Sequence, residues 1–371
     1  MTPQLFTTLR LRGTELRNRI VVSPMCQYSA VEGYIQDWHL QHHARFALGG
    51  YGAAFVEATA VTRDGRITHG CTGLWEDGQI EGMARIAGMY REHGIVPGIQ
   101  LGHAGRRASM SRPWEGNQPL ALGGPDPAWP TVGPSALPER EDYPAPRELT
   151  RSGIEDLVEA FGAAVARARR AGFDVVELHG AHGYLLHSFF SPISNRREDE
   201  FGGSLDRRMR LPLLVAEAVR AAWPDELPLF YRVSSVDGVE GGVTIEDTVA
   251  LARALGERGV DVVDCSSGGM SGPATLSTRK IHQGYQVPYA EAVRQGAGVA
   301  TMAVGAIISP FLAESVLAEG SADLIALGRE LLAEPNWPYR AARELGLERP
   351  WQVLPEKFAF YLERRAAVLE D

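Results

Sequence analysis

Lysine is almost missing from this chain. Of 371 residues only Lys280 and Lys357 are lysines, and the rest of the basic side chains are arginines. No Lys/Arg run occurs, and the formal net charge is −9. A nucleic-acid binder usually presents a basic patch, so nucleic acid is not an expected partner. Cysteine is nearly as scarce. Cys26, Cys71 and Cys265 make an odd set with no C-x-x-C pair, which argues against a disulfide framework and a cysteine-held iron–sulfur cluster. No apolar run reaches membrane-spanning length, so no membrane partner is expected. The first residues show no basic region followed by an apolar stretch, so no signal peptide is expected either. Together these absences suggest a reducing, cytoplasmic setting.

What is present is ordered. Short Val/Ile-rich runs recur at Arg19–Pro24, Ala53–Ala58, Ile95–Leu101, Asp174–Leu178, Leu229–Val233, Val260–Cys265, Val299–Val304 and Leu324–Leu327. Most are continuously apolar, as parallel strands covered on both faces should be. Helical patterns lie between them at Ile154–Ala171, Leu211–Ala222, Ile245–Arg258 and Phe311–Glu319, and Thr244 precedes two acids as an N-cap would. Eight strand-then-helix units predict a closed α/β fold, a (β/α)8 TIM barrel, with residues 1–371 as a single domain. Residues 5–17 read as an N-terminal hairpin turning at Gly13, fit to plug the barrel bottom. The connection after the third strand, residues 102–150, is far longer than the others and rich in Pro, Gly and Trp. Loops of that length are usually lids or binding loops.

Active sites of such barrels lie at the C-terminal strand ends. Here those ends carry Ser23-Pro24-Met25-Cys26-Gln27-Tyr28, Ala60, Gln100 to His103, His179 to Tyr184, Arg232, Ser266 to Gly268, Gly305, and Gly328-Arg329. Polar groups at every strand end suggest one large, flat ligand across the mouth. Glycines and an arginine at the last two strands suit a phosphate. Gln100 and Arg232 suit the edge of a heterocycle with imide character, the cation favouring its reduced, anionic form. His179, His182 and Tyr184 can hydrogen-bond a substrate oxygen and supply a proton. Cys26 directly follows the first strand and is read as functional, whereas Cys71 and Cys265 are read as structural. His39, His42 and His43 fall at a helix start and are mostly solvated or packing residues. His103 is open to either reading.

At these residues the chain resembles the old yellow enzyme family, across essentially its whole length. The segments that carry the likeness are Asn18–Tyr28, Phe55–Ala60, Gly98–Arg106, Gly172–Leu185, Ser191–Ser204 and Ala326–Glu330. Cys26 and the His179/His182 pair are similar to the bacterial subgroup of xenobiotic reductases and thermophilic-like ene-reductases. The resemblance implies non-covalent FMN, with NADPH (or NADH) as hydride donor. Pro24, Met25, Ala60, Gln100 and Arg232 would contact the isoalloxazine, and Ser266, Gly268, Gly305, Gly328 and Arg329 would line the ribityl–phosphate side. Cys26, also at the flavin, would tune its potential. His179 and His182 would hold the substrate oxygen, Tyr184 would donate the proton, and Tyr28 would help bind substrate. The implied substrates are small enones, nitroalkenes and quinones, reduced in a ping-pong cycle. The subgroup also implies a homodimer or homotetramer in which the C-terminal tail, residues 345–371, enters a neighbour's site, with Tyr361 as the candidate aromatic.

The competing enzyme reading is a metal-dependent TIM-barrel hydrolase with His179 and His182 as ligands. Such a site needs a third ligand. Only Glu177 and Asp264 lie near, and strand alternation is expected to turn Glu177 away from its neighbours. An iron–sulfur dienoyl reductase lacks its cluster cysteines here. A non-catalytic binding protein has no need of this set of side chains at one rim.

Overall fold

The N-terminal hairpin pairs β1 (Leu9–Leu11) with β2 (Thr14–Leu16) in antiparallel register across Arg12 and Gly13. A computed structural model describes this and the rest of residues 2–271 and 281–369. The next strands are β3 (Ile20–Val22), β4 (Ala53–Ala60) and β5 (Val96–Gly102). A short pair, β6 (Val132–Gly133) and β7 (Arg147–Glu148), lies in the long loop. Then follow β8 (Val175–Gly180), β9 (Leu229–Ser234), β10 (Val262–Ser266), β11 (Ala300–Ala303) and β12 (Leu324–Leu327). Eight of them close in the order β3-β4-β5-β8-β9-β10-β11-β12 and back to β3, every pair parallel. This is a (β/α)8 barrel, and each of the eight runs read as strands supplies one. The first is shorter than its apolar run, because Pro24 has no N–H for the ladder.

Helices cover the outside: α1 (Asp37–Ala47), α2 (Ile80–Glu92), α3 (Arg151–Arg170), α4 (Leu185–Phe190), α5 (Leu205–Ala222), α6 (Ile245–Gly256), α7 (Val287–Ala297), α8 (Pro310–Ala318), α9 (Arg329–Ala333), α10 (Trp337–Glu344) and α11 (Glu356–Ala366). Thr150 caps α3 by accepting from Gly153 N at 3.1 Å. Thr244 and Asp247 form a reciprocal capping box on α6. His39, His42 and His43 pack inward from α1 and are buried. No helix among the described residues is long and apolar enough to cross a membrane.

Side-chain alternation sorts the barrel into two surfaces. Outward residues such as Val22, Val56 and Val176 join the helices in the main core. Inward residues Val21, Phe55, Val175, Phe230, Val262 and Met302 form a second apolar cluster with Leu11 and Leu16 of the hairpin. The hairpin therefore seals the lower barrel. Above this plug the inward positions turn polar, and the site begins there.

The long loop is fastened to the barrel. The Arg66 guanidinium lies 5.6 Å from the Trp75 ring centroid and 4.9 Å from that of Trp129. Trp129 donates to the Asp64 carbonyl at 2.9 Å, and Arg197 donates to the carbonyls of Pro134 and Leu149 at 3.0 and 2.7 Å. The loop is thus a fixed wall beside the mouth. At the other end of the chain, α11 presents Phe358, Phe360 and Tyr361 to solvent.

Leu16 is fully buried in the plug. Leu16→Ala is expected to cost about 2–5 kcal/mol, from lost transfer energy plus the cavity left behind. Urea unfolding followed by far-UV circular dichroism checks this; a loss below 1 kcal/mol, roughly, would show that the hairpin is not integral to the barrel.

Candidate active site

The first polar layer above the plug holds Gln100 on β5, Glu177 on β8, Arg232 on β9 and Asp264 on β10. Gln100 Nε2 donates to Glu177 Oε1 at 2.7 Å. Arg232 Nε lies 3.2 Å from Asp264 Oδ2, and its Nη1 is 3.3 Å from Ser23 Oγ. Glu177 and Asp264 are completely buried. This corrects one expectation. Glu177 points opposite to Leu178, as alternation requires, but it shares the inward face with His179 two residues on, and meets Gln100 there.

The next residues of β8 form the turn that carries the reactive groups. His182 has φ 61° and Gly183 φ 77°, and a non-glycine residue in this left-handed region stores strain. Side chains from three directions hold it there. His182 N donates to Ser234 Oγ at 2.9 Å, Gly183 N donates to His187 Nδ1 at 2.9 Å, and Arg107 Nη1 donates to the His182 carbonyl at 2.6 Å. Because His187 Nδ1 accepts, the proton of the neutral ring sits on Nε2, which faces Asp237 Oδ1 at 2.9 Å. The turn sets His179 edge-on to both partners, with ring centroids 5.1 Å from His182 and 4.8 Å from Tyr184. His182 Nε2 also lies 2.7 Å from Ser266 Oγ.

Beside this cluster the mouth opens into a cavity of about 690 Å³. Pro24, Met25, Arg232 and Ser266 line it near the polar layer, and Gly305, Gly328 and Arg329 line its far side. Ala60, His179 and Tyr184 meet in a narrow adjoining cleft with His103 and Cys71. Tyr28 and Tyr184 border a second cavity of about 510 Å³, walled by Arg107, Glu139 and Tyr143 of the long loop. Two expected residues sit differently. Gly268 lines none of these spaces: its N–H donates to the Val236 carbonyl at 2.8 Å and its carbonyl accepts from Ser234 Oγ at 2.7 Å. Tyr361 is 71% exposed on α11, its ring edge-on to Phe360 with centroids 5.2 Å apart. The loop 269–290, expected to wall the pocket, lies partly outside the described residues.

The electrostatics keep the cluster neutral. Burial, then the nearby Arg232 charge, pushes the His179 and His182 imidazoles well below their ordinary range. Each therefore offers one N–H at neutral pH. Burial also raises the Tyr184 phenol, so it keeps its proton, and the neighbouring Cys26 raises Tyr28 in the same sense. Burial and the Glu57 carboxylate push the Cys26 thiol up. Glu57 itself is pushed up to about 8 by burial; it accepts from Gln27 N at 2.9 Å and faces His39 Nε2 at 3.4 Å. Cys26 is therefore a thiol, not a thiolate nucleophile.

Sequence reasoning missed Arg107, Ser234, His187 and Asp237, which hold the turn, and Gln286, which joins Ser267 Oγ at 2.5 Å on the cavity wall. Only His187 carried a signal, lying three residues beyond Tyr184 on the same segment. Among the described residues no three His, Cys, Asp or Glu side chains are arranged to hold a metal ion, so the hydrolase reading lacks its third ligand.

Comparison with known proteins agrees with this geometry. The model of the NADH:flavin oxidoreductase / NADH oxidase family matches residues 4–348. The chain is 45% identical over 350 residues to an NADPH dehydrogenase of Geobacillus thermodenitrificans (strain NG80-2), covering 94% of this chain and 96% of that one. It is 41% identical over 359 residues to an NADPH dehydrogenase of Bacillus subtilis (strain 168), covering 96% and 99%. Among solved structures, morphinone reductase superposes with a TM-score of 0.75 at 28% identity, covering 92% of this chain and 90% of that one.

The depressed imidazoles have a consequence for stability. The unfolded chain takes up protons near pH 6.5 at positions where the folded chain does not. The unfolded state therefore binds more protons below that pH, and stability falls as pH drops through about 6.5. Urea titrations at several pH values should show this loss, and His182→Gln should make it shallower. An unchanged slope in that variant would mean His182 is charged in the native state.

Proposed function

The chain belongs to the NADH:flavin oxidoreductase / NADH oxidase family, and on that premise we propose that this old yellow enzyme is an FMN-dependent ene-reductase. It takes hydride from NADPH, or NADH, and reduces the C=C bond of small α,β-unsaturated carbonyls, nitroalkenes and quinones. The observation that carries the reading is the edge-on meeting of His179, His182 and Tyr184, all neutral, beside the mouth cavity. The NADPH dehydrogenase relatives support the choice of donor.

The residues present fit FMN. Arg232 lines the cavity, and its Nε approaches Asp264 at 3.2 Å without hydrogen-bond geometry, so the guanidinium is not saturated within the protein. Arg329 is exposed at the lip and has no ion-pair partner among the described residues. Gly305 has φ 127°, and an added Cβ there would lie 2.9 Å from Gln286 Nε2, so no side chain intrudes on that side of the cavity. A cavity of this size suits a cofactor. Arg232 and Gln100, with Pro24, Met25, Cys26 and Ala60, would hold the ring. Gly305, Gly328 and Arg329 would hold the phosphate end, with Ser266 on the same side. When bound, FMN supplies the two-electron carrier that accepts hydride from the nicotinamide and returns it to the β-carbon of the alkene, in ping-pong order.

The chain's own residues do the rest. His179 and His182 each direct an N–H at the substrate carbonyl or nitro oxygen. Negative charge develops on that oxygen in the transition state, and donors already in place stabilise it without reorganisation. Tyr184 holds the proton that goes to the α-carbon. Its raised phenol keeps that proton available across neutral pH. Arg107 stands 5.9 Å over the Tyr184 ring and clamps the turn beneath it. The Cys26 thiol adjusts the flavin potential as a neutral neighbour, and Tyr28 closes over the substrate.

Residues 1–371 serve as one domain in this reading, in the reducing cytoplasm that three free cysteines suit. The active form is a homodimer or homotetramer. The tail from residue 345 completes a neighbour's site through Tyr361, which accounts for three aromatic side chains left in solvent on α11. If truncation after Leu354 leaves substrate KM unchanged, the shared site is wrong.

Two measurements test the core proposal. The purified protein should show a flavin absorption band that NADPH bleaches under anaerobic conditions and 2-cyclohexenone restores; a protein colourless even after added FMN rejects it. Tyr184→Phe should slow re-oxidation by the enone by on the order of 10²-fold or more, while bleaching by NADPH stays near wild type. Equal effects on both halves would remove Tyr184 from the proton-transfer role.

A further inference from the structure

The layer beneath the mouth holds two carboxylates and one guanidinium. Glu177 meets Gln100 of β5, and Asp264 of β10 and Arg232 of β9 lie close enough to shift it. Below them lies the apolar plug of Val175, Phe230 and Phe55. Glu177 and Asp264 have no exposed surface. In such a place two anions cannot share one cation without a large desolvation cost.

Of the two acids, only Asp264 lies within ion-pair distance of Arg232. Arg232 turns its Nε to Asp264 at 3.2 Å and its Nη1 to Ser23. Glu177 receives only the neutral amide of Gln100 on Oε1, and its Oε2 has no partner at all. Burial raises both acids, and the Asp264 oxygens also lack hydrogen-bond partners, but only Asp264 has a guanidinium within ion-pair reach, so Glu177 is the acid that keeps its proton. Burial, and then the Asp264 charge, push Glu177 up to about 8.

We propose that Glu177 keeps its proton in the working enzyme and that this proton is linked to hydride acceptance, so that Glu177 sets how the flavin's reduction potential depends on pH. The inference rests on the flavin reading above. Accepting a hydride brings two electrons and one proton into the site, and therefore one net negative charge. Arg232 offsets that charge from beneath. Ionised Glu177 in the same dry layer would oppose it, and by reciprocity the arriving charge tightens the hold of Glu177 on its proton. Glu177 acts through Gln100 and the shared field of Arg232, so it is a positioning residue, not a catalytic one.

The test is a redox titration of the FMN-loaded protein on both sides of about pH 8. In wild type the protons taken up per electron pair should rise from one towards two above that pH. In Glu177→Gln, which mimics the protonated acid and keeps an acceptor for Gln100, the number should stay at one. In Asp264→Asn, Arg232 is freed to pair with Glu177, and the rise should begin at lower pH. The FMN-free protein gives an independent reading. Between about pH 4.5 and 8 the folded acid holds a proton that the unfolded chain has lost, so wild-type stability should decline as pH rises through that window and level off above it, and Glu177→Gln should flatten the decline. Equal proton counts in wild type and Glu177→Gln overturn the proposal and leave the flavin reading intact. A chain that binds no FMN overturns both.

Discussion

Closure of the barrel forces every second side chain of eight strands into one narrow interior, and the rest of the molecule follows from how that interior is filled. Its lower part is apolar and is plugged by Leu11 and Leu16 of the hairpin. With water excluded from below, charges one layer higher have only each other and the mouth to answer to. Arg232 is therefore paired with Asp264 but not saturated, and Glu177 is bound to Gln100 rather than to a cation. A buried cation that lines a cavity without saturating its donors is costly for folding alone. It makes sense as a binding group.

A second constraint acts on the turn after β8. His182 occupies left-handed backbone space that costs on the order of 1–3 kcal/mol. The conformation persists because Ser234, His187 and Arg107 reach it from three elements, and Asp237 supports His187 from behind. That scaffolding aims two imidazoles and a phenol at one point. It also ties the turn to the long loop, since Arg107 pairs with Glu139 at 3.0 Å. The loop wall and the turn that carries His182 are thus one mechanical unit.

The neutrality of the cluster has a single origin. Burial favours the uncharged form of the imidazoles, the Tyr184 phenol, the Cys26 thiol and Glu57, whichever the sign of their charge. Imidazoles fall below neutrality, while Tyr184, Tyr28, Cys26 and Glu57 move upward. The His179–Tyr184 cluster thereby presents neutral hydrogen-bond donors beside the Arg232 charge. That suits a reaction in which charge arrives as hydride and leaves as product.

The eight strands, their parallel pairing and most of the rim were legible in the chain. Strands buried on both faces need continuous apolar runs, and the residues that end those runs in a barrel must meet at one mouth. His179, His182, Tyr184 and Arg232 followed from that alone, and the old yellow enzyme likeness added FMN. Alternation says which side chains share a face but not which face is inward, so the placement of Glu177 failed until the barrel closed. Gly268 turned to Val236 because of a local backbone bond with no signal in residue type. The clamps from Arg107, Ser234 and Asp237 were invisible because they come from elements distant in sequence, brought together only by the fold. The sequence by itself determined the architecture and the chemical inventory of the mouth. Only tertiary structure decided which carboxylate meets Arg232, because that depends on strand register across the barrel rather than on any local pattern.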